Sequence, residues 1–164
     1  ESGTGRISSL ETAEEQGAIS GKYLFRKGDV LYSKIRPELT KACVAPQDGL
    51  CSADMYAIVA RRGVLPTFVL YLLLSEAFTK LAVDESMRVA MPKINREDLG
   101  EIRWPFPPVT EQTEIVSRID AQIRPIALLL ERIQASIYRL REYRTALISA
   151  AVTGKIDVRE EGII

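Results

Sequence analysis

Apolar side chains recur through the last third of this chain at Val116, Ile119, Ile123, Ile126, Leu130, Ile133, Ile137 and Leu140, then at Leu147 and Ala151. The steps alternate three and four, and Arg144 is the one polar residue on the register. That spacing is the seam of a coiled coil, narrower than the face of an ordinary globular helix. A helix of about 40 residues at ~1.5 Å each is roughly 60 Å long, more than a domain this size needs to cover its own core. Such a helix requires a partner along Ile119, Ile123, Ile126, Leu130, Ile133, Ile137, Leu140 and Leu147.

Its ends are punctuated. It is expected to start near Val109 or Thr110, with Glu111 and Glu114 in the first turn, where the helix macrodipole favours acids. It is expected to stop near Val152, with Gly154 as a left-handed cap. Pro125 interrupts it, removing one backbone hydrogen bond at a cost of about 3 kcal/mol. The seam keeps phase across the proline, so a kink or short break is expected and not a reversal.

The 164 residues suit one domain plus an appendage. Twenty-two basic residues balance 22 acidic ones, and division at Pro108 leaves 14 of each before it and 8 of each after. Any basic patch must therefore be local. The absence of histidine removes Ser-His-Asp and Cys-His mechanisms, His-ligated zinc and the commonest general base. Cys43 and Cys51 are too few for a cysteine-rich zinc site and read as reduced packing thiols. The densest apolar run, Phe68 to Leu74, is too short to cross a bilayer, so no membrane role and a cytoplasmic location are expected.

The chain opens in turn-forming residues without an initiator Met, as if cut from a longer protein. From Lys22 to Lys41 six basic residues stand against Asp29 and Glu38. Gly28-Asp29 signals a turn, and Val30 to Arg36 reads as a strand closed by Pro37. Period two places Tyr32, Lys34 and Arg36 on one face, an edge suited to phosphate and base contacts or simply to solvent. Lys41–Ala45 and Asp54–Ala60 are expected to form a hairpin across a turn at Pro46 to Gly49. Pro66 opens a helix to about Ala82, apolar nearly all round and hence a core element. Asp84 to Lys93 reads as an irregular loop, Asn95 as an N-cap, and Glu101 to Phe106 as extended. Pro105, Pro107 and Pro108 make a stiff joint before the long helix.

No self-contained catalyst is legible. There is no glycine-rich phosphate loop. Asp84, Glu85 and Lys93 lack the third acid that a metal nuclease site needs, and the prolines at 105, 107 and 108 lack the Asn or Asp that must accept from the target amine in methyl transfer.

Five stretches carry a family resemblance. They are Gly28 to Pro37 (GDVLYSKIRP), Asp48 to Asp54 (DGLCSAD), Met91 to Asn95 (MPKIN), Pro107 to Gln112 (PPVTEQ) and Leu147 to Val158 (LISAAVTGKIDV). The chain resembles the specificity subunit of type I restriction-modification systems across most of its length. That resemblance implies an α+β, mixed-sheet recognition domain over residues 1–106, incomplete at its N-terminus, a conserved spacer helix over 107–154, and a tail over 155–164. In the family two recognition domains each read half of a split DNA site. Their helices pack antiparallel, set the gap and dock methyltransferase subunits, and an endonuclease subunit joins them. S-adenosylmethionine, ATP and magnesium belong to those partners, with no cofactor or metal in this chain. One recognition domain in place of two makes this a half subunit or a fragment, paired through its helix with a second half or a second copy.

The same resemblance makes Tyr32, Ser33, Lys34, Arg36 and Lys41 candidate contacts to double-stranded DNA, with Arg88, Met91, Lys93 and Arg96 as a second edge. Two other readings remain open: a coiled-coil module assembling proteins without DNA, and the recognition domain of a single-chain restriction-methylation enzyme.

Overall fold

The computed structural model describes residues 2–12, 14–17, 22–86 and 92–156. Its centre is strand β2 (Val30–Ser33), flanked by β3 (Ala42–Val44) and β5 (Met55–Ile58) in a three-stranded antiparallel sheet of order β3-β2-β5. The register stacks Val30 between Val44 and Ile58, and Tyr32 between Ala42 and Tyr56, on one face. Leu31 lies between Cys43 and Ala57 on the other. Strand β1 (Lys22–Phe25) pairs antiparallel with β4 (Gly49–Ser52) in a second, two-stranded sheet. Gly49 faces Phe25 there, and a Cβ would meet the ring at 2.7 Å, so this position accepts no side chain without displacing the ring.

The α+β class is the one expected from the sequence. Among the described residues every strand pairing is antiparallel, where a mixed sheet was expected. The expected hairpin is also replaced. β3 and β5 do not pair with each other, because β2 lies between them and takes a hydrogen-bonded partner on each side.

Two helices cover the face bearing Val30 and Tyr32. The single helix expected from Pro66 is two, α1 (Pro66–Leu74) and α2 (Glu76–Ser86). Ser75 makes the break: its backbone is extended, its hydroxyl donates to Leu72 O, and it accepts from Phe78 N as a cap. Val69, Leu70 and Leu73 from α1, and Phe78 and Ala82 from α2, join Val30, Tyr32, Ala42 and Ile94 in one core. Phe78 meets the Tyr32 ring edge-on at 6.0 Å between centroids. Leu31, Cys43 and Ala45 form a second, smaller core beneath the other face, with Phe25 and Met55 against it.

A short helix, α3 (Arg96–Glu101), starts where Asn95 was expected to cap it: the Asn95 side chain accepts from Asp98 N at 2.8 Å. It ends at Glu101, and the residues from Ile102 to the prolines join no strand. Helix α4 (Val109–Val152) then continues as one helix through Pro125, where a kink or short break was expected, so the break does not occur. Proline has no N–H to give the carbonyl one turn back, that of Ala121, and Ala121 is exposed, so water can satisfy it. At the far end Lys155 N bonds to Ala150 O and Gly154 N to Ala151 O, with Gly154 at φ +71. This double closure is the Schellman arrangement, and it needs a residue tolerant of positive φ at position 154.

The chain divides into two compact units, Glu1–Ser117 and Arg118–Ile164. No single described helix is long and apolar enough to cross a membrane; α1 and α2 reach that composition only as a pair, bent by 65°.

Burial pushes the Tyr32 hydroxyl up from 10.0 to about 12. The fold thus favours neutral Tyr32, and this contribution is intact below the unfolded value of 10.0 and lost as pH rises through about 12. We expect urea unfolding midpoints to fall across that interval and the fall to be shallower in Tyr32→Phe. A variant with the parental alkaline loss would assign the titration to another group.

Candidate nucleic-acid interface

Strand β2 stops at Ser33, and the chain beyond it is held by its neighbours. Lys34 N donates to Asp54 O, Ser33 N donates to Lys41 O, and Ile94 N donates to Lys34 O, each within 3.0 Å. Arg36 N donates to Pro92 O, and Ile35 bridges Lys93 in antiparallel fashion. Residues 92–94 therefore continue the sheet alongside residues 34–36. The two basic stretches of the sequence, far apart along the chain, meet at this seam. Ile94 is completely buried beside Val30 and Tyr32 in the core, which fixes the exposed Lys93 next to it. Arg96 follows as the exposed first residue of α3.

The side chains at this edge differ in what they can do. Lys34 donates through Nζ to Ala53 O at 2.8 Å, lies 3.9 Å from an Asp54 oxygen, and sits 5.8 Å from the centre of the Tyr56 ring. It braces the turn between β4 and β5 as much as it faces solvent. Tyr56 donates its hydroxyl to Ile94 O. Burial raises its pKa, against the opposing pull of nearby Arg96, so the hydroxyl stays neutral and keeps its proton for that bond. Ser33 points its hydroxyl at Ile35 O. Lys41, Lys93 and Arg96 are exposed and carry no ion pair among the described residues.

Arg36 departs from the extended conformation expected before a proline. It lies in the left-handed region at φ 53, ψ 66, and Thr40 does so at φ 45, ψ 47. Between them Pro37–Leu39 forms a single 3-10 turn. The turn is held by the buried Pro37, by Leu39 N to Arg36 O and Thr40 N to Pro37 O at 2.9 Å, and by the bond from Arg36 N to Pro92 O. Holding a non-glycine residue there costs about 1–2 kcal/mol. The Arg36 guanidinium is exposed, and its Nε donates to Glu38 at 3.1 Å.

Tyr32 does not share this edge. It is 1% exposed and lies in the helix-covered core, so we remove it from the candidate contacts. Period two correctly grouped it with Lys34, but the helices cover that face over β2 and leave it open only beyond Ser33. Arg88 and Met91 lie outside the described residues. Sequence reasoning also missed Asp54 and Tyr56, the partners of Lys34; the only signal was that Asp54 closes one of the family-like stretches.

Burial raises the pKa of both thiols from 9.0, which disfavours the thiolate of Cys43 and Cys51 in the fold. Among the described residues no group of three or more His, Cys, Asp or Glu side chains gathers as a metal site.

Along α4 the seam is uncovered. Ile123, Ile126, Leu130, Ile133, Ile137, Leu140 and Leu147 are all exposed, Leu140 by 66%. Ile119 is half-buried. Leu129 and Tyr143 flank the seam on one side and Ile148 on the other, all exposed, so the apolar face is wider than the seam alone.

Over residues 5–139 the chain matches the family described as type I restriction modification DNA specificity domain. The chain belongs to that family. It is 36% identical over 156 residues to the type I restriction enzyme EcoDI specificity subunit of Escherichia coli, a match covering 95% of this chain and 35% of that protein. This chain thus spans about a third of the length of that relative. Its fold is similar to the HsdS subunit from Thermoanaerobacter tengcongensis, with TM-score 0.69 and 24% identity over all of this chain and 42% of that one. It is also similar to a chain solved in work on complex assembly and conformational transition of the type I R-M system. That match has TM-score 0.58 and 26% identity, over 80% of this chain and 32% of the other.

The left-handed Arg36 gives a direct test of backbone strain. Arg36→Gly and Arg36→Val delete the same guanidinium, but only glycine relieves the conformation. We expect the glycine variant to be more stable than the valine variant by about 1–2 kcal/mol in urea unfolding. Equal stabilities would show that the turn relaxes without cost.

Proposed function

We propose that this chain is the DNA-reading and spacing part of a type I specificity subunit, recognising one half of a bipartite double-stranded site. The observation that carries the reading is the junction of residues 34–36 with 92–94. It runs the backbone of Lys34, Ile35 and Arg36 alongside that of Pro92, Lys93 and Ile94, with Arg96 two residues further on and Lys41 across the other side of β2. Ammonium groups suit phosphates as point charges, and an arginine fork suits guanine O6 and N7. Zero net charge is no obstacle, because screening over roughly 8–10 Å lets a local cluster act independently of distant acids.

In this reading the chain performs no catalysis. Methyltransferase and endonuclease subunits bring S-adenosylmethionine, ATP and magnesium, and the assembly works in the cytoplasm. The uncovered seam of α4 receives a second helix, from the other half of the subunit or from a second copy, and methyltransferase subunits dock on the same element. An apolar face this long is unfavourable to leave in water, which supports a permanent partner.

Selection from a pool of random duplexes, using the full-length protein, tests the DNA edge. On the selected duplex, Lys41→Ala, Lys93→Ala and Arg96→Ala are each expected to weaken binding. Each should also reduce the slope of log affinity against log salt by about 0.9 for every phosphate that the variant no longer neutralises. Unchanged affinity and slope in all three would remove this edge from the DNA. For the seam, Leu130→Asp and Ile133→Asp each set a carboxylate against the partner helix and are expected to separate the helices in light scattering. An unchanged assembly state would make the seam irrelevant to assembly.

A further inference from the structure

Gln112 is a buried polar side chain of the globular unit with every amide group engaged. It is completely buried, three residues into α4. Its Oε1 accepts from Leu65 N at 2.9 Å, and its Nε2 donates to Gly63 O at 3.0 Å and to Pro107 O at 2.8 Å. Both amide hydrogens and one acceptor site are therefore used. The partners come from two places: the loop that leads into α1, where Leu65 is the cap residue, and the proline joint that leads into α4.

Those backbone groups have few alternatives. Pro105, Pro107 and Pro108 have no N–H, so the joint is poorly suited to a strand ladder, and the carbonyl of Pro107 needs a donor from elsewhere. An apolar side chain of the same size would pack against the same walls but would fix no direction. Three hydrogen bonds to two segments fix both the position and the rotation of the first turn of α4 on the globular unit.

The length of α4 turns that local geometry into a lever. At 44 residues it extends about 66 Å. A tilt of about 3° at its base displaces the far end by roughly 3.4 Å, one base-pair step. A helix that measures a gap to the base pair must be held at its root to within a few degrees.

We infer that Gln112 is the positioning residue that fastens the spacer helix to the recognition domain, and that the strictness of the gap between DNA half-sites depends on it. This rests on the specificity-subunit reading. It concerns gap selectivity and not the reading of either half-site.

The test uses the full-length protein that carries this chain, with duplexes bearing the two selected half-sites at gaps varied one base pair at a time. For Gln112→Leu we expect affinity for a single half-site within about threefold of the parent, while preference for the native gap over its one-base-pair neighbours falls about tenfold. Gln112→Glu keeps the size and the acceptor for Leu65 N but loses both donors. It is expected to broaden the gap preference as well, and it decides the matter if the leucine variant does not fold. Unaltered gap preference in a folded Gln112→Leu or Gln112→Glu protein overturns the inference. A parent protein with no gap preference at all overturns the specificity-subunit reading instead.

Discussion

Strand β2 is buried on both faces, and the other elements of the globular unit take their places from that fact. Val30 and Tyr32 are 0% and 1% exposed beneath α1 and α2, and Leu31 is 5% exposed in the smaller core on the opposite side. In a strand with one buried face, a slip of one residue exchanges core for solvent. Here a slip would drive Tyr32 into a pocket shaped for Leu31, and would break two ladders at once, because β3 and β5 both pair with β2. The register therefore has no near alternative. The residues that leave β2, from Lys34 to Arg36, inherit that fixed position, as do residues 92–94 through the bridge between Ile35 and Lys93.

The sequence made some of this legible because certain signals are local. Asn95 caps α3 through its own side chain, Gly154 takes the left-handed turn that ends α4, and Pro66 stands at the first position of α1. Each needs information from only a few residues. What was not legible depends on partners distant in the chain. Period two says that Tyr32 and Lys34 share a face, but not that helices far along the chain cover one and spare the other. The break at Ser75 is a serine in an apolar stretch that reads as continuous; its capping role appears only once Phe78 is seen turned into the core. The left-handed Arg36 runs against the extended preference before proline and is held there by contacts with Pro92 and the buried Pro37. The candidate edge was legible as two basic stretches, and its assembly into one was not.

The exposed seam of α4 shows the reverse case, where sequence carries more than the isolated chain can display. Heptad spacing is a statement about a second helix, and the chain alone leaves Ile126, Leu130 and Leu140 at 58%, 61% and 66% exposure. Helix propensity alone makes isolated helices marginal in water, and most helical stability comes from packing an apolar face. Arg144 on the register and Pro125 within the helix each weaken the element locally. Neither changes the phase of the apolar positions. Continuity through Pro125 is therefore the condition under which the seam residues before it, Ile119 and Ile123, can act with those after it.

Rigidity at the root of α4 and rigidity at the exit of β2 have the same physical origin. Both replace loose, solvated backbone with bonds to a distant segment: Arg36 N to Pro92 O in one case, Gln112 to Gly63, Leu65 and Pro107 in the other. Gln112 ties α4 to the loop entering α1, α1 packs on Val30 and Tyr32, and β2 fixes the basic edge. The path from the first turn of the long helix to the cations thus runs through buried contacts, with no flexible linker in between. Proline suits the joint for this reason, since a run from 105 to 108 in which only Phe106 keeps an N–H is a poor partner for a competing ladder and favours the extended form on its own. If reading a half-site and measuring its distance from the other are to be one function, these two attachments are where they are coupled.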